Sequence, residues 1–277
     1  MSKVLLINDL AGYGKVALSA MIPVLSHLQY EVCSLPTALV SNTLDYGKFD
    51  ILETTDYMKN TLAVWDQLGF TFDAVSTGFI LSQPQTELVR DFCRGQKAKG
   101  TLIFTDPIMG DEGKLYNGVG EETVALMREL IATADYIVPN YTEAAYLASA
   151  PYSREGCTRQ ELYDLALALH QQGAGAVLIT SARMLVDGGN PIQCVAGYDA
   201  ATDACFILPY EELPVRFPGT GDIFSAVFMG HILHGEPLKK AAQAAMRTVS
   251  NMLAKNAANQ DKYKGIPIET CLEDIVL

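Results

Sequence analysis

The sequence predicts an α/β fold with three layers, in which a mostly parallel central sheet is covered by helices on both faces and carries an antiparallel meander at one edge. The first observation behind this prediction is that short apolar runs alternate with amphipathic stretches of about 10–15 residues, which is typical of βαβ units. The second is that the apolar runs are continuous, as in strands buried on both faces. The third is a change after Thr180, where glycine-containing turns separate short strands.

The sequence has no long linker, internal repeat or low-complexity tract, so we expect one domain over residues 1–277. Continuous apolar runs predict strands at residues 4–8, 31–35, 73–77, 101–105, 136–138 and 176–180. Apolar residues at helical spacing predict helices at residues 16–28, 55–68, 85–99, 121–132, 142–148, 159–172, 220–234 and 237–256. The antiparallel meander is predicted at residues 184–187, 193–195 and 204–208, with turns at 188–190 and 197–199.

Composition excludes several classes of protein. An apolar fraction of 49% argues against intrinsic disorder, and no apolar run reaches the length of about 18 residues that a membrane span requires. The net charge of −12 argues against nucleic acid and anionic membranes as partners. The first residues lack the pattern of a signal peptide, and six scattered cysteines without a CxxC motif favour free thiols, so we expect a cytoplasmic protein.

Polar residues follow every predicted parallel strand. In an open parallel sheet, ligands bind beyond the carboxyl ends of the strands, so these positions form the candidate site. Helix caps and turns place the same residue types after strands, which is the alternative explanation for any single position. The polar residues after the strands include Asn8, Asp9, Thr37, Ser41, Asn42, Thr43, Thr77, Asp106, Asp111, Asn140, Glu143, Thr180 and Ser181.

The motif Gly219-Thr220-Gly221-Asp222 stands where a helical pattern begins. Its backbone N–H groups would form an anion hole at the positive end of the helix. Asp222 in the first turn is suited to accept a proton from an alcohol that attacks phosphorus. The alternative interpretation of this motif is that its residues only cap the helix. The phosphate-binding motifs GxxxxGK[ST] and GxGxxG are absent, which disfavours P-loop NTPases and Rossmann dehydrogenases.

Three carboxylates suggest a metal. Asp106, Asp111 and Glu143 follow two strands and offer the hard oxygen ligands that Mg²⁺ prefers when it is shared with substrate phosphates. The alternative is a set of solvated carboxylates in turns.

Several motifs together resemble one family. Gly219-Thr220-Gly221-Asp222 resembles the GTGD signature of the ribokinase superfamily. Residues 106–111, which read DPIMGD and are followed by GKLY at 113–116, resemble the DPVMGD and GKLY segment of pyridoxal kinases, and residues 139–144 resemble their PNxxEA segment. The chain is similar to pyridoxal/pyridoxamine kinases from residue 3 to about residue 256, with the segments in the family's order.

This resemblance implies a ribokinase-like fold, a homodimer, and transfer of the ATP γ-phosphoryl group to the 5′-hydroxymethyl group of pyridoxal, pyridoxamine or pyridoxine. It implies that Asp222 is the catalytic base and that the amides of Gly219, Thr220 and Gly221 hold the phosphoryl group. The other implied roles are Mg²⁺ binding by Asp111 and Glu143, a monovalent cation such as K⁺ near Asp106, ATP contacts by Asn140, Glu143, Thr180 and Ser181, and ring contact by Asp9.

Two positions depart from the family pattern. The substrate loop, which usually reads Ser-x-His-Thr, is Ser41-Asn42-Thr43-Leu44 here, so either Thr43 replaces the histidine or one residue has been deleted. Phe79 stands where a tyrosine is frequent. The motifs for phosphoryl transfer therefore match the family, whereas the positions expected to contact the vitamer are altered. The alternative function is that of a kinase for hydroxymethylpyrimidine or a similar heterocycle. A repair dehydratase for nicotinamide nucleotides that uses ATP or ADP is less favoured.

Overall fold

The computed structural model describes residues 2–116 and 119–277. They form two compact units, Met1–Gln85 with Leu213–Leu277 and Thr86–Glu212. The single domain expected from the sequence stays a prediction. Across the described ranges, no helix has both the length and the apolar character needed to cross a bilayer. All six cysteines are free thiols, as expected.

The first unit contains four strands in the order β4-β1-β2-β3. Strand β1 is parallel to both β2 and β4, and β3 is antiparallel to β2. Its elements are β1 (Lys3–Ala11), α1 (Ala17–His27), β2 (Glu31–Val40), β3 (Ile51–Glu53), α2 (Thr55–Gln67), β4 (Ala74–Thr77), α7 (Thr220–Leu233) and α8 (Leu238–Asn256).

Two elements of this unit, β1 and α7, lie largely in its core. Val4, Leu5, Leu6 and Ile7 in β1 are fully buried, which is why the strand reads as a continuous apolar run. Helix α7 is buried on all sides from Ile223 to Ile232 and packs against α1 and α8. The first turn of α7 is therefore held by a rigid part of the unit.

Among the described residues of the second unit, five strands form a sheet in the order β11-β10-β9-β8-β5, and β6 and β7 form a separate antiparallel pair. Strands β5, β8 and β9 are parallel, and β9, β10 and β11 form an antiparallel meander. Its elements are α3 (Gln83–Ala98, which begins in the first unit), β5 (Leu102–Thr105), β6 (Gly110–Asp111), β7 (Lys114–Leu115), α4 (Glu121–Ile131), β8 (Tyr136–Ile137), α5 (Tyr141–Ala148), α6 (Arg159–Gln171), β9 (Ala176–Met184), β10 (Ile192–Asp199) and β11 (Ala204–Tyr210).

The predicted class, a mostly parallel sheet with flanking helices and an antiparallel edge, is confirmed, but two boundaries in the meander were wrong. The separate strand predicted at 184–187 does not exist, because β9 continues to Met184 through a bulge. The turn predicted at 197–199 lies inside β10. Gly197 does not end the strand but leaves room for Phe206 of β11, whose ring would be 2.3 Å from a Cβ at that position.

Candidate active site

Helix α7 begins at a place where two backbone segments almost touch. Its N-cap residue, Gly219, has a left-handed φ of 82°. A Cβ atom at this position would lie 2.2 Å from the carbonyl oxygen of Lys15. Only glycine satisfies both conditions, so the first glycine of the motif is needed to dock α7 against the residues that precede α1.

The second glycine of the motif is different. Gly221 is exposed, and apart from its chain neighbours and the backbone of its own helix no described atom lies within 4 Å of the position that its Cβ would take. The N–H groups of Thr220, Gly221 and Asp222 belong to the first turn, where a helix leaves its amide donors without intrahelical partners. The turn is therefore open to an anion, and anion binding there stays a prediction.

Asp222 is held by a donor from the start of α1. Its Oδ2 accepts a hydrogen bond of 2.8 Å from the backbone N–H of Ala17. Removal from water raises the pKa of Asp222 to about 6, although this hydrogen bond and the nearby Asn8 side chain favour the carboxylate. A carboxylate with this pKa is ionised at neutral pH and is suited to accept a proton.

Asp9 is a second carboxyl group near the first. Burial and the charge of Asp222 together raise the pKa of Asp9 to about 7. Because Asp9 has the higher pKa, it holds its proton in the pH range where Asp222 has already lost one. The two groups can thus supply a hydrogen-bond donor and a proton acceptor at neutral pH.

The backbone of Phe79 is fixed from two sides. Its N–H donates to Oδ1 of Asn8 at 2.8 Å, and its carbonyl oxygen accepts a hydrogen bond of 2.8 Å from the hydroxyl of Thr37. The sequence marked Asn8 only as a polar residue after a strand, and the prediction did not include it among the site residues. In the structure, its Oδ1 accepts hydrogen bonds from the backbone N–H groups of two candidate residues, Asp9 and Phe79.

The polar atoms of Thr43 form hydrogen bonds with other parts of the first unit. The side chain is buried, and its hydroxyl donates to the carbonyl oxygen of Tyr263 at 2.6 Å. Its backbone N–H donates to the carbonyl oxygen of Tyr13. Thr43 therefore links residues 41–44 to the C-terminal segment. No sequence signal links positions 43 and 263.

The same C-terminal segment borders a cavity in the first unit. The cavity has a volume of about 630 Å³, and its lining includes Tyr13, Lys15, Lys264 and Glu269. The side chains of Lys15 and Glu269 form an ion pair, and the Lys264 ammonium lies over the Tyr13 ring at 4.8 Å from its centroid. These contacts hold residues 11–15 in one arrangement.

In the second unit, Asn140 and Glu143 form a capping box at the start of α5. Oε1 of Glu143 accepts from the N–H of Met109 at 3.0 Å, and Oε2 accepts from the N–H of Asn140 at 2.8 Å. Burial and the nearby Asp106 raise the pKa of Glu143 well above its usual value. The interpretation of Glu143 as a solvated turn carboxylate was therefore wrong, because only 2% of this residue is exposed.

Asp106 and Asp111 are half-buried near this capping box. Oδ1 of Asp111 accepts a hydrogen bond of 2.9 Å from the N–H of Glu112. Within residues 2–116 and 119–277, no three His, Cys, Asp or Glu side chains lie close enough to hold a metal ion. The oxygen donors fit Mg²⁺ only if phosphate oxygens and water complete its coordination, which is how Mg²⁺ usually binds with nucleotides.

Asn140 and Thr180 lie side by side, as predicted for residues at the carboxyl ends of neighbouring strands. They form an isolated parallel bridge, and the amide of Asn140 donates to the carbonyl oxygen of Gly110 at 2.7 Å. Ser181 has a left-handed φ of 53° at the bulge of β9. Such bulges commonly occur next to active sites, where they redirect a side chain.

Residues 18–267 match the model of the family described as phosphomethylpyrimidine kinase. The chain belongs to this family. Since its members are kinases, the chain is a phosphotransferase, and the predicted membership of the ribokinase superfamily is confirmed.

Solved structures and curated proteins agree with this assignment. A pyridoxal kinase from Lactobacillus plantarum has a TM-score of 0.86 and 30% identity, over 99% of this chain and 96% of that chain. A candidate phosphomethylpyrimidine kinase from Bacteroides thetaiotaomicron, crystallised with pyridoxal, has a TM-score of 0.92 and 34% identity, over 99% and 95% of the two chains. The pyridoxal kinase PdxY of Rubrobacter xylanophilus is 29% identical over 91% of this chain and 87% of its own length.

The two glycines of this kinase's motif should respond differently to alanine. Gly219→Ala should lower the free energy of unfolding by at least about 1–2 kcal/mol, because it forces a Cβ into a left-handed conformation against Lys15. Gly221→Ala should leave stability unchanged or raise it by up to about 1 kcal/mol, because alanine favours the helix. Chemical denaturation measures both, and equal effects of the two substitutions would contradict this account.

Asp9→Asn should stabilise this kinase in a pH-dependent way. The folded pKa of Asp9 is about 7 against an ordinary value of 3.8, so folding favours the protonated acid. The stability that Asp9 contributes is present below about pH 4 and is lost as the pH rises towards about 7.

The free energy of unfolding of Asp9→Asn, minus that of the wild type, should therefore increase between these pH values and then level off. Denaturant titrations at several pH values measure it, and Asp66→Asn at an exposed position controls for the loss of one negative charge. If the difference in unfolding free energy between Asp9→Asn and the wild type does not vary with pH, then folding does not raise the pKa of Asp9.

Proposed function

We propose that this protein transfers the γ-phosphoryl group of ATP to the 5′-hydroxymethyl group of pyridoxal, pyridoxamine or pyridoxine. The observation that carries the proposal is the Asp222 carboxylate, which is fixed by Ala17 in the first turn of α7 and has a pKa of about 6. It lies one residue from the open backbone at Gly221. A proton acceptor next to an anion site suits phosphoryl transfer to an alcohol.

In the proposed reaction, Asp222 accepts the proton of the hydroxymethyl group as its oxygen forms a bond to the γ-phosphorus. The bond from this phosphorus to the β-γ bridging oxygen breaks, and ADP leaves with that oxygen. The N–H groups of Thr220 and Gly221, behind the N-cap Gly219, donate to the phosphoryl oxygens, and the helix dipole favours their negative charge. Asp9 and Phe79 contact the heterocycle.

On the nucleotide side, we propose that Asn140, Thr180 and Ser181 contact ATP. Asp106, Asp111 and Glu143 would hold Mg²⁺ together with phosphate oxygens. Bound Mg²⁺ would neutralise charge on the phosphates during transfer. Both oxygens of Glu143 already accept hydrogen bonds from backbone N–H groups, so Glu143 would offer Mg²⁺ only the remaining lone pairs of its carboxylate. A monovalent cation near Asp106, a homodimer and a cytoplasmic location stay predictions.

A second candidate substrate is hydroxymethylpyrimidine or its phosphate. Two observations favour it: the hydroxyl of Thr43 is engaged by Tyr263, and Phe79 offers no side-chain hydroxyl to a substrate. A site that lacks a hydrogen-bonding group cannot use it to select a pyridine vitamer. The family description points to the same chemistry. Both substrates present a hydroxymethyl group on an aromatic heterocycle, so the proposed role of Asp222 is unchanged.

The test is to incubate the protein with Mg²⁺ and ATP and with each of the three vitamers or hydroxymethylpyrimidine, and to follow products by mass spectrometry. We expect a phosphorylated pyridine vitamer, and a kcat reduced by about 10²–10⁴ in Asp222→Asn, because a general base contributes this factor. Phosphorylation of only the pyrimidine would favour the second candidate. No product from any substrate, or an unchanged kcat in Asp222→Asn, would contradict the proposal.

A further inference from the structure

The tripeptide Tyr263-Lys264-Gly265 in the C-terminal segment contacts two chain segments that lead to the candidate site. The carbonyl oxygen of Tyr263 accepts a hydrogen bond of 2.6 Å from the hydroxyl of Thr43. The carbonyl oxygen of Lys264 accepts one of 2.8 Å from the backbone N–H of Lys15. The tripeptide therefore joins Thr43 to the residues that precede α1.

Two glycines enclose the carbonyl group of Lys15. A Cβ at Gly219, the N-cap of α7, would lie 2.2 Å from the carbonyl oxygen, and a Cβ at Gly265 would lie 2.7 Å from it. Gly265 also has a left-handed φ of 81°. The backbone of Lys15 is thus held between the C-terminal segment and the start of α7, and neither glycine can gain a side chain without displacing it.

A third close approach lies on the Thr43 side of the tripeptide. A Cβ at Gly14 would lie 2.3 Å from Cγ2 of Thr43 and 3.3 Å from the carbonyl oxygen of Lys264. Gly14 therefore packs between Thr43 and the tripeptide. Close packing of this kind transmits a displacement from one segment to the next.

The C-terminal segment is itself anchored in the first unit. Ile266 and Ile268, which follow the tripeptide, are fully buried. The carboxylate of Glu269 forms an ion pair with the ammonium of Lys15, and Asp261 accepts a hydrogen bond of 2.7 Å from the hydroxyl of Tyr46. The segment can therefore impose a fixed position on the backbone of Lys15.

Two residues further along the chain, the backbone is strained. Ala17 has a left-handed φ of 47°, a conformation that residues with a side chain rarely adopt. Such a conformation persists only where the surrounding contacts determine the path of the backbone. In this conformation the N–H of Ala17 donates to Oδ2 of Asp222 at 2.8 Å.

We propose that the tripeptide 263–265 is a positioning element of the kinase and that Gly265 is its positioning residue. By confining the backbone of Lys15, it keeps Ala17 in the strained conformation in which the Ala17 N–H fixes the Asp222 carboxylate. This inference rests on the proposed function, in which Asp222 is the base. Misplacing a catalytic group by about 1 Å can cost about 10²-fold in rate.

Gly265→Ala tests the proposal, and Gly69→Ala is its matched control. Gly69 has a similar left-handed φ of 70°, but apart from its chain neighbours no described atom lies within 4 Å of the position that its Cβ would take. Both substitutions therefore place alanine in an unfavourable conformation, and only Gly265→Ala pushes against Lys15.

Amide hydrogen exchange, followed by ¹⁵N NMR, reads the positioning without any substrate. The N–H groups of Lys15 and Ala17 should exchange at least about tenfold faster in Gly265→Ala than in Gly69→Ala, because their hydrogen bonds open more often. The N–H of Leu6, in the buried part of β1, reports global unfolding. The change at Lys15 and Ala17 should therefore exceed the change at Leu6.

The kinetic constants separate positioning from nucleotide binding. We expect the kcat of Gly265→Ala to be lower than that of Gly69→Ala by about 10–10², because the base is displaced. The KM for ATP should change by less than about twofold, because a group that acts only in the transition state does not alter ground-state binding.

If Gly265→Ala does not fold, Thr43→Val replaces it. Valine keeps the shape of the threonine side chain but removes the hydroxyl that donates to Tyr263. Exchange at Lys15 and Ala17 should again rise more than exchange at Leu6, and kcat should fall.

Three results would overturn the proposal. Exchange at Ala17 that rises no more than at Leu6 in a folded variant would show that the tripeptide does not hold Ala17. Faster exchange with an unchanged kcat would show that it holds Ala17 but does not serve the base. An equal loss of kcat in Gly69→Ala would show a general effect of backbone strain. A wild type that phosphorylates no acceptor would refute the proposed function, and the exchange rates would still decide whether the tripeptide holds Ala17.

Discussion

The start of α7 lies directly against the backbone of residues 15–17, and this close approach determines where Asp222 is held. Gly219 permits it, because its φ of 82° is left-handed and because a Cβ at this position would lie 2.2 Å from the carbonyl oxygen of Lys15. The same approach brings the N–H of Ala17 to the Asp222 carboxylate at 2.8 Å. Helix α7 is buried from Ile223 to Ile232, so its packing fixes the position of its first turn and of the Asp222 carboxylate.

Two half-buried residues, Asp9 and Asp222, have carboxyl groups that destabilise the fold when they are ionised. Asp9 and Asp222 both have raised pKa values, of about 7 and about 6, because each is taken out of water and Asp222 repels the charge of Asp9. Groups that destabilise the fold at neutral pH are typical of functional sites. Oδ1 of Asn8 accepts hydrogen bonds from the backbone N–H groups of Asp9 and Phe79, and so ties these two residues together.

Local patterns predicted much of the fold, because helix starts and buried strands have local causes. The helix predicted at 220–234 is α7, Thr220–Leu233. Contacts between residues distant in sequence were not predictable. The bond from Thr43 to Tyr263 spans 220 positions, and Gly197 resembles a turn residue until Phe206 is seen against it. Glu143 was predicted from its motif as a metal ligand, but its capping contacts became visible only in the structure.

The most direct test of the account is a crystal structure of the protein with pyridoxal and a non-hydrolysable ATP analogue. The account places the 5′-hydroxyl oxygen of the vitamer within about 2.6–3.2 Å of the Asp222 carboxylate, the reach of a general base. It also places the γ-phosphate analogue against the N–H groups of Thr220 and Gly221. A vitamer bound with its hydroxymethyl group directed away from Asp222 would contradict the account.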